Sequence, residues 1–202
     1  MADSATVEDL TNKARFQELA VRLGLPVPAA FLINASSSRP SDSELRFPVV
    51  IKPNQHRGSW ASIEASGKAL IVNTAEDLKK LWPRLAAVVL DLMVQEAIPG
   101  PESRIESYHV YVDQTNATAA EFTGRKIRTF PLSCGHSTAL ETTDCADVRA
   151  LGRDIVQKIG LRGVAKLDFK REPNGELHLL EINPRFSLWH HLGAIAGVNM
   201  PA

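Results

Sequence analysis

The spacing of apolar positions changes along the chain and separates a mixed first half from a second half dominated by strands. Helical spacing of Phe16, Leu19, Ala20 and Leu23 predicts a helix over residues 11–23, capped by Thr11. Two more helices are expected, one from residue 74 that Pro83 ends or kinks, and one over 144–159. The expected strands cover residues 30–33, 47–53, 69–72, 92–98, 107–113, 117–128, 164–170 and 176–182.

The last two expected strands alternate polar and apolar residues, and their polar residues are the most informative in the chain. A two-residue turn at Asn174-Gly175 would pair Asp168 with Glu181 and Lys166 with Asn183 on one face. Like charges placed opposite each other destabilise a sheet, whereas carboxylate and amide oxygens are ligands that suit Mg²⁺. We therefore interpret this face as a metal site, with an ordinary solvated hairpin as the alternative. The core side would carry Leu167, Phe169, Leu180 and Ile182.

Two further segments carry candidate ligand-binding residues. Lys52 lies in the apolar strand VVIKP, where a buried lysine requires an anion such as phosphate unless its amine reaches water. The segment VQEAIPGPES runs from a strand into a Pro-Gly turn and places Gln95, Glu96 and Glu102 around that turn. It could present backbone groups and carboxylates to a ligand, or it could be a plain connection between strands.

Composition excludes several classes of function. The chain of 202 residues has 23 Lys plus Arg and 23 Asp plus Glu, so its zero net charge predicts no bulk affinity for nucleic acid or for an anionic membrane. We also see no apolar run of membrane-spanning length and no signal peptide. Two cysteines outside any CxxC motif favour a reduced, cytoplasmic setting and inert thiols.

Four motifs in this order, TNKARF, IKP, QEAIPGPE and LLEINPR, resemble the ATP-grasp superfamily. The resemblance covers nearly the whole chain and implies an α+β, two-lobed ATP-grasp fold that holds ATP between a small lobe and a larger antiparallel-sheet lobe. It implies one ATP-grasp unit, with the small lobe within residues 1–92 and the C-terminal lobe over residues 93–202. Because such proteins usually carry a preceding domain, we expect this chain to be a fragment of a longer protein.

The resemblance also assigns roles to individual residues. The phosphates of ATP would contact Lys13, Lys52 and Lys126. The adenine would face Gln95, Glu96 and Ile98, and the ribose would face Glu102. The ligands of Mg²⁺, with Mn²⁺ as an alternative ion, would be Asp168, Glu181 and Asn183. Catalytic roles would fall to Lys166 near the transferring phosphate and to Arg185 at the substrate.

The implied activity is that of an ATP- and Mg-dependent carbon–nitrogen ligase. Such an enzyme activates a small carboxylate as an acyl phosphate, which an amine or similar nucleophile then attacks. One alternative is an ATP-binding module whose chemistry needs a missing domain. The other alternative is a kinase-type phosphotransferase. Two absences argue against it: the sequence has no glycine-rich loop before Lys52 and no H-R-D motif. The adjacent His190 and His191 should point apart in a strand or a helix, and this geometry argues against a zinc site there.

Overall fold

The computed structural model describes residues 2–34, 46–54, 60, 62–63, 69–88, 91–132 and 134–200. Its helices are α1 (Ser4–Thr11), α2 (Lys13–Arg22), α3 (Ala75–Ala87), α4 (Ala146–Ile159) and α5 (Trp189–Ile195). The strands are β1 (Ala30–Asn34), β2 (Val49–Pro53), β3 (Leu70–Val72), β4 (Asp91–Glu96), β5 (Ile105–Val112), β6 (Thr118–Phe130), β7 (His136–Thr143), β8 (Gly163–Arg171) and β9 (Leu177–Asn183). None of these described helices is both long enough and apolar enough to cross a membrane.

The strands form two antiparallel sheets, which confirms the expected α+β, two-lobed architecture. The first sheet has the order β1-β4-β2-β3, and α3 packs Leu78 and Leu85 into its core. The second sheet has the order β7-β6-β5-β8-β9. Its core takes Val148 and Ile155 from α4 and also Phe16 from α2. The N-terminal helices therefore pack with the larger sheet, although they precede the smaller one in sequence.

The change from the first sheet to the second falls at the end of β4. All of β4 pairs with β1 and β2, from Asp91 to Glu96. The expected boundary after residue 92 thus lies inside this strand. The connection that follows, with a short 3₁₀ turn at Glu102–Arg104, leads directly into β5 of the second sheet.

Two expectations for the helices are wrong in detail. The predicted helix over 11–23 is α2, but it begins at Lys13, because Asn12 leaves helical geometry and caps it instead of Thr11. The Asn12 side-chain oxygen accepts the backbone N–H groups of Ala14 and Arg15, which satisfies two donors at the helix start. Of the two alternatives for Pro83, a kink or the end of the helix, the second is wrong, because α3 continues to Ala87.

Three elements escaped the sequence analysis: α1, β7 and α5. In β7 nearly every residue is half-buried, so the strand lacks the alternation that marks a two-sided sheet. The last helix, α5, has only 7 residues, and no side chain caps its start. Elements this short or this evenly buried leave no clear hydrophobic period in the sequence.

The β8–β9 hairpin has the expected residue pairing but a different turn. Asp168 lies opposite Glu181 and Lys166 lies opposite Asn183, as predicted. The turn is longer than expected, however, because the Glu172 N–H donates to the Glu176 carbonyl across a three-residue loop in which Gly175 has a φ of +97°. A bulge between Asp168 and Phe169 on the pairing ladder then restores the register.

The bulge changes which leucine enters the core. Phe169 pairs with Leu179, which has 0% exposure, while Leu180 is the extra residue on β9 and is only half-buried. The expectation that Leu180 forms part of the core is therefore wrong, and Leu179 takes its place beside Leu167 and Ile182.

Candidate nucleotide and metal site

One face of the β8–β9 hairpin brings together the four residues expected to surround a metal and a phosphate. Lys166 and Asp168 are buried, with 9% and 1% exposure, and the Lys166 ammonium donates to Asp168 Oδ2 at 2.6 Å. On the neighbouring strand β9, the Asn183 amide donates to Glu181 Oε1 at 3.0 Å. Glu181 is exposed, so this pair of acids joins a buried carboxylate to one that reaches solvent.

Asp168 has the properties of a cation ligand. Burial raises its pKa, but the nearby Lys166 and Lys126 outweigh burial and lower it, so the carboxylate is held in its charged form. Its second oxygen, Oδ1, is buried and has no hydrogen-bond partner among the described residues. A buried carboxylate oxygen without a partner costs free energy unless a cation or donor reaches it. The residues present therefore fit a hard divalent ion such as Mg²⁺.

Two lysines outside the hairpin lie close enough to influence each other and Glu181. The Lys52 ammonium on β2 donates to Gln95 Oε1 at 3.0 Å, and the Lys13 ammonium at the start of α2 lies 3.5 Å from the Asn54 carbonyl. Burial lowers the pKa of both lysines; Lys52 also lowers that of Lys13, while Glu181 opposes both shifts. Two partly desolvated ammonium groups facing one acid form a positively charged site suited to an anion.

The segment from Gln95 to Glu102, which is expected to face adenine and ribose and is called the hinge from here on, is tied to its surroundings by ion pairs. Glu96 contacts the Arg46 guanidinium at 3.2 Å, and Glu102 lies 3.7 Å from the Lys170 ammonium on β8. Gln95 and Ile98 are buried, with 4% and 5% exposure. The Gln95 side-chain oxygen is already engaged by Lys52, so the side chain links the hinge strand to that lysine.

The remaining two expected site residues lie in different surroundings. Lys126, on β6, is half-buried and close enough to Asp168 to affect its pKa. Arg185 follows β9 and is exposed, and its guanidinium donates to the Phe186 carbonyl at 3.2 Å. The structure thus brings Lys126 to the hairpin acids, whereas the Arg185 side chain lies in the solvent-exposed segment between β9 and α5.

Sequence analysis missed a buried imidazole pair beside Lys166. His109 lies opposite Lys166 on the adjacent strand and stacks on Phe122 with ring centroids 4.2 Å apart. His190 of α5 meets the His109 ring edge-on at 5.5 Å. Burial and the charge of Lys166 lower the pKa of both histidines, so both are neutral. The prediction that His190 and His191 point apart is confirmed, because His190 has 3% exposure and His191 is exposed.

The two cysteines have different surroundings. Cys145 precedes α4 and donates to Asp147 Oδ1 at 3.0 Å, and burial together with that carboxylate raises the pKa of its thiol to about 11. A thiol held protonated in this way is a weak nucleophile. Cys134, in the connection between β6 and β7, forms no disulfide and lies within electrostatic range of the Lys52 ammonium.

The sequence of this chain matches a known protein family. A family model described as "ATP-grasp in the biosynthetic pathway with Ter operon" matches residues 89–202, which include β4, the hinge and the whole larger sheet. The chain belongs to the ATP-grasp family. The resemblance drawn from the four sequence motifs is thereby confirmed.

Individual relatives of this ATP-grasp chain are ligases. It is 25% identical over 98% of its length to a D-aspartate ligase of Enterococcus faecium (strain Aus0004), covering 49% of that protein. It is 29% identical over 89% of its length to a D-alanine–D-alanine ligase of Pseudomonas putida (strain GB-1), covering 56% of it. The chain thus spans about half the length of the curated relatives it matches.

Solved structures agree on the fold of this ATP-grasp chain. A D-alanine–D-alanine ligase from Bacillus anthracis complexed with ATP superposes with a TM-score of 0.68 at 15% identity, over 97% of this chain and 64% of that one. The N5-carboxyaminoimidazole ribonucleotide synthetase in complex with ADP gives a TM-score of 0.69 at 15% identity, over 91% of this chain and 47% of that one. At such identities the likeness establishes the shared fold.

Proposed function

We propose that this chain carries the ATP- and Mg²⁺-binding part of a carbon–nitrogen ligase that activates a small carboxylate as an acyl phosphate for an amine-type nucleophile. The relatives named above support this reaction class, because one is a D-aspartate ligase and another is a D-alanine–D-alanine ligase. The buried pair of Lys166 and Asp168, with Glu181 and Asn183 on the same hairpin face, is the observation that carries the proposal.

The chemistry of these side chains suits phosphoryl transfer. Asp168, Glu181 and Asn183 would hold Mg²⁺, which supplies charge neutralisation for the phosphate oxygens. Lys13 and Lys52 would hold the phosphate chain from the other side, where burial leaves their ammonium groups without full hydration. Lys166 would lie near the transferring phosphoryl group, and Lys126 would add positive charge. The protein would contribute positioning and charge, without a covalent enzyme intermediate.

The proposed reaction has two displacement steps. A carboxylate oxygen of the substrate attacks the γ-phosphorus of ATP, the bond to the β-phosphate oxygen breaks, and ADP leaves. The amine nitrogen then attacks the acyl carbon, the carbon–oxygen bond to phosphate breaks, and inorganic phosphate leaves while the amine gives up a proton to solvent. Arg185 would contact the substrate from the exposed segment after β9.

A test of this function combines product release with nucleotide binding. ADP release should be measured across a panel of D- and L-amino acids and hydroxy acids, each with and without an amine acceptor. Replacing Lys52 with Met keeps length and removes charge, so Mg-ATP affinity should fall at least tenfold. The melting temperature should change little, because loss of a buried cation offsets loss of its hydrogen bond to Gln95. Lys158→Met is the matched control, since Lys158 is 43% exposed on α4 and pairs with Asp154.

The outcomes separate the alternatives. ADP release that depends on a carboxylate supports the ligase, and ATP binding without release under every condition supports a binding module that needs a missing domain. Equal Mg-ATP affinity in Lys52→Met and Lys158→Met would remove Lys52 from the phosphate site.

A further inference from the structure

The β8–β9 hairpin has a second pair of opposed carboxylates, at its tip. Glu172 and Glu176 face each other across the three-residue loop, where the Glu172 N–H donates to the Glu176 carbonyl at 2.8 Å. Opposed acids destabilise a hairpin unless a cation or donor lies between them. Glu172 lies four residues beyond Asp168 in the chain, about 13 Å at 3.3 Å per residue, which separates this second pair from the proposed metal ligands Asp168 and Glu181.

An imidazole completes the group. His178 pairs with Lys170 and projects on the same sheet face as both glutamates, and its Nε2 lies 3.7 Å from Glu172 Oε2. This nitrogen is shielded from solvent and has no hydrogen-bond partner among the described residues. One carboxylate oxygen from each of Glu172 and Glu176 and one His178 ring nitrogen all lie within 4.8 Å of one another.

We propose that Glu172, Glu176 and His178 form a binding site for a divalent first-row transition-metal ion, distinct from the site at Asp168 and Glu181. Two carboxylates and one imidazole are ligands typical of Mn²⁺, Co²⁺, Ni²⁺ or Zn²⁺, whereas Mg²⁺ and Ca²⁺ prefer oxygen ligands alone. The ion removes the repulsion between the opposed acids and gives the shielded imidazole nitrogen its missing partner.

The backbone prepares this site before any ion arrives. The Gly175 N–H donates to the Glu172 carbonyl, and Asn174 accepts the Glu176 N–H through its side chain, so the loop that carries two ligands is tightly closed. The Arg104 guanidinium donates to the Glu172 carbonyl at 2.9 Å and ties the tip to the connection between the two sheets. Three ligands on one short hairpin lose little conformational freedom when they bind an ion.

Competing partners of the two acids are weak. The Arg46 guanidinium is 68% exposed, lies 3.9 Å from Glu172, and has a closer partner in Glu96 at 3.2 Å. A separation of 3.9 Å is too long for a hydrogen bond. The Asn174 amide donates to Glu176 Oε2 and leaves that carboxylate its other oxygen. Neither contact prevents an ion from reaching the three ligands.

The experiment is a Co²⁺ titration of the untagged chain, without nucleotide, in excess Mg²⁺. Co²⁺ is the probe because its visible absorption reports coordination, and Mg²⁺ occupies oxygen-only sites. We expect saturable absorption at one Co²⁺ per chain. His178→Gln and Glu172→Gln should each weaken binding at least tenfold, while His191→Gln, which changes an exposed histidine, should bind within twofold of the parent. Metal-free melting curves confirm that each variant is folded.

Three results would overturn the site. The first is the absence of saturable Co²⁺ absorption, and the second is binding by His178→Gln within twofold of the parent. The third is intense near-ultraviolet absorption typical of cobalt–thiolate bonds, which would assign the ion to a cysteine. Because no nucleotide or substrate takes part, failure here leaves the ligase proposal untouched, and failure of that proposal leaves this site untouched.

Discussion

At the scale of single residues, the two opposed acids of the hairpin differ more than their pairing suggests. Glu181 is exposed, whereas Asp168 is buried and holds the buried Lys166 ammonium at 2.6 Å. If repulsion between the two facing carboxylates were the only effect, both acids would destabilise the metal-free protein. The contact with Lys166 reverses that expectation for Asp168, because removal of its charge would leave a buried ammonium without a partner.

Asp168→Asn should therefore destabilise the metal-free protein by about 3 kcal/mol, the lower end of the cost of breaking a buried ion pair. Glu181→Gln should change stability by less than about 0.5 kcal/mol, as is usual for an exposed charge. Urea unfolding of both variants without metal or nucleotide measures the difference. Both variants should lose most of the stabilisation that Mg-ATP gives the parent. Equal stability of the two metal-free variants would argue against the Lys166–Asp168 pair.

At the scale of elements, α5 packs beside the hairpin face that carries the acids, with the Lys166 ammonium 5.9 Å from the centroid of the Trp189 ring. Trp189 packs on Gly124, where an added Cβ would lie 2.6 Å from the indole, and Gly193 packs as closely on Phe122. His190 lies in this interface against His109. Burial and the charge of Lys166 place the folded-state pKa of both imidazoles below the value near 6.5 that each has in the unfolded chain.

This interface should make stability depend on pH. Because the folded pKa of each histidine is depressed, the unfolded state binds more protons in acid, so stability is full above about pH 6.5 and falls as pH drops below it. His109→Phe keeps a ring stacked on Phe122 and removes the titrating group. Its melting temperature should fall less between pH 7.5 and pH 5.5 than that of the parent, while His191→Gln should follow the parent. Parallel pH profiles for His109→Phe and the parent would contradict the role of His109.

Elements also show where sequence reasoning succeeds. Alternation along β8 and β9 predicted the facing of Asp168 and Glu181, because the side-chain period of a strand is fixed at two. The same alternation wrongly placed Leu180 in the core. The turn is one residue longer than expected and a bulge compensates for it, and neither feature leaves a signal in the hydrophobic pattern. The imidazole pair was missed for another reason: His109 and His190 meet through α5, whose position depends on tertiary packing.

At the scale of the whole molecule, the family and the two-lobed fold were predicted because four motifs, occurring together and in this order, resemble those of the ATP-grasp superfamily. The motifs did not predict that α1 and α2 pack on the larger sheet. That arrangement places Lys13, the first residue of α2, beside Lys52 of the smaller sheet. The proposed phosphate site therefore draws on elements that pack in both lobes.

We expect this site to distinguish ATP from GTP through the segment that connects the two sheets, from Gln95 to Glu102. If the segment from Gln95 to Glu102 faces adenine and ribose, ATP with Mg²⁺ should raise the melting temperature more than GTP with Mg²⁺ at equal concentration. Replacing Glu102, which now pairs with Lys170, by Gln should reduce the ATP shift and leave the nucleotide-free melting temperature nearly unchanged, because that pair is long at 3.7 Å. Equal shifts from ATP and GTP would remove this segment from base recognition.

The bulge at Leu180 lets the hairpin tolerate a length change of one residue, which would reverse the faces of a regular strand. Deletion of Leu180 itself would leave a regular ladder in which Asp168 still faces Glu181, since the bulge holds one surplus residue. A one-residue deletion beyond it, at Ile182, would move Asn183 to the core side of the sheet. An insertion or deletion between Asp168 and Glu181 therefore keeps both acids on the same face when it changes the length by two residues. A change of one residue does so only if the bulge is lost or gained with it.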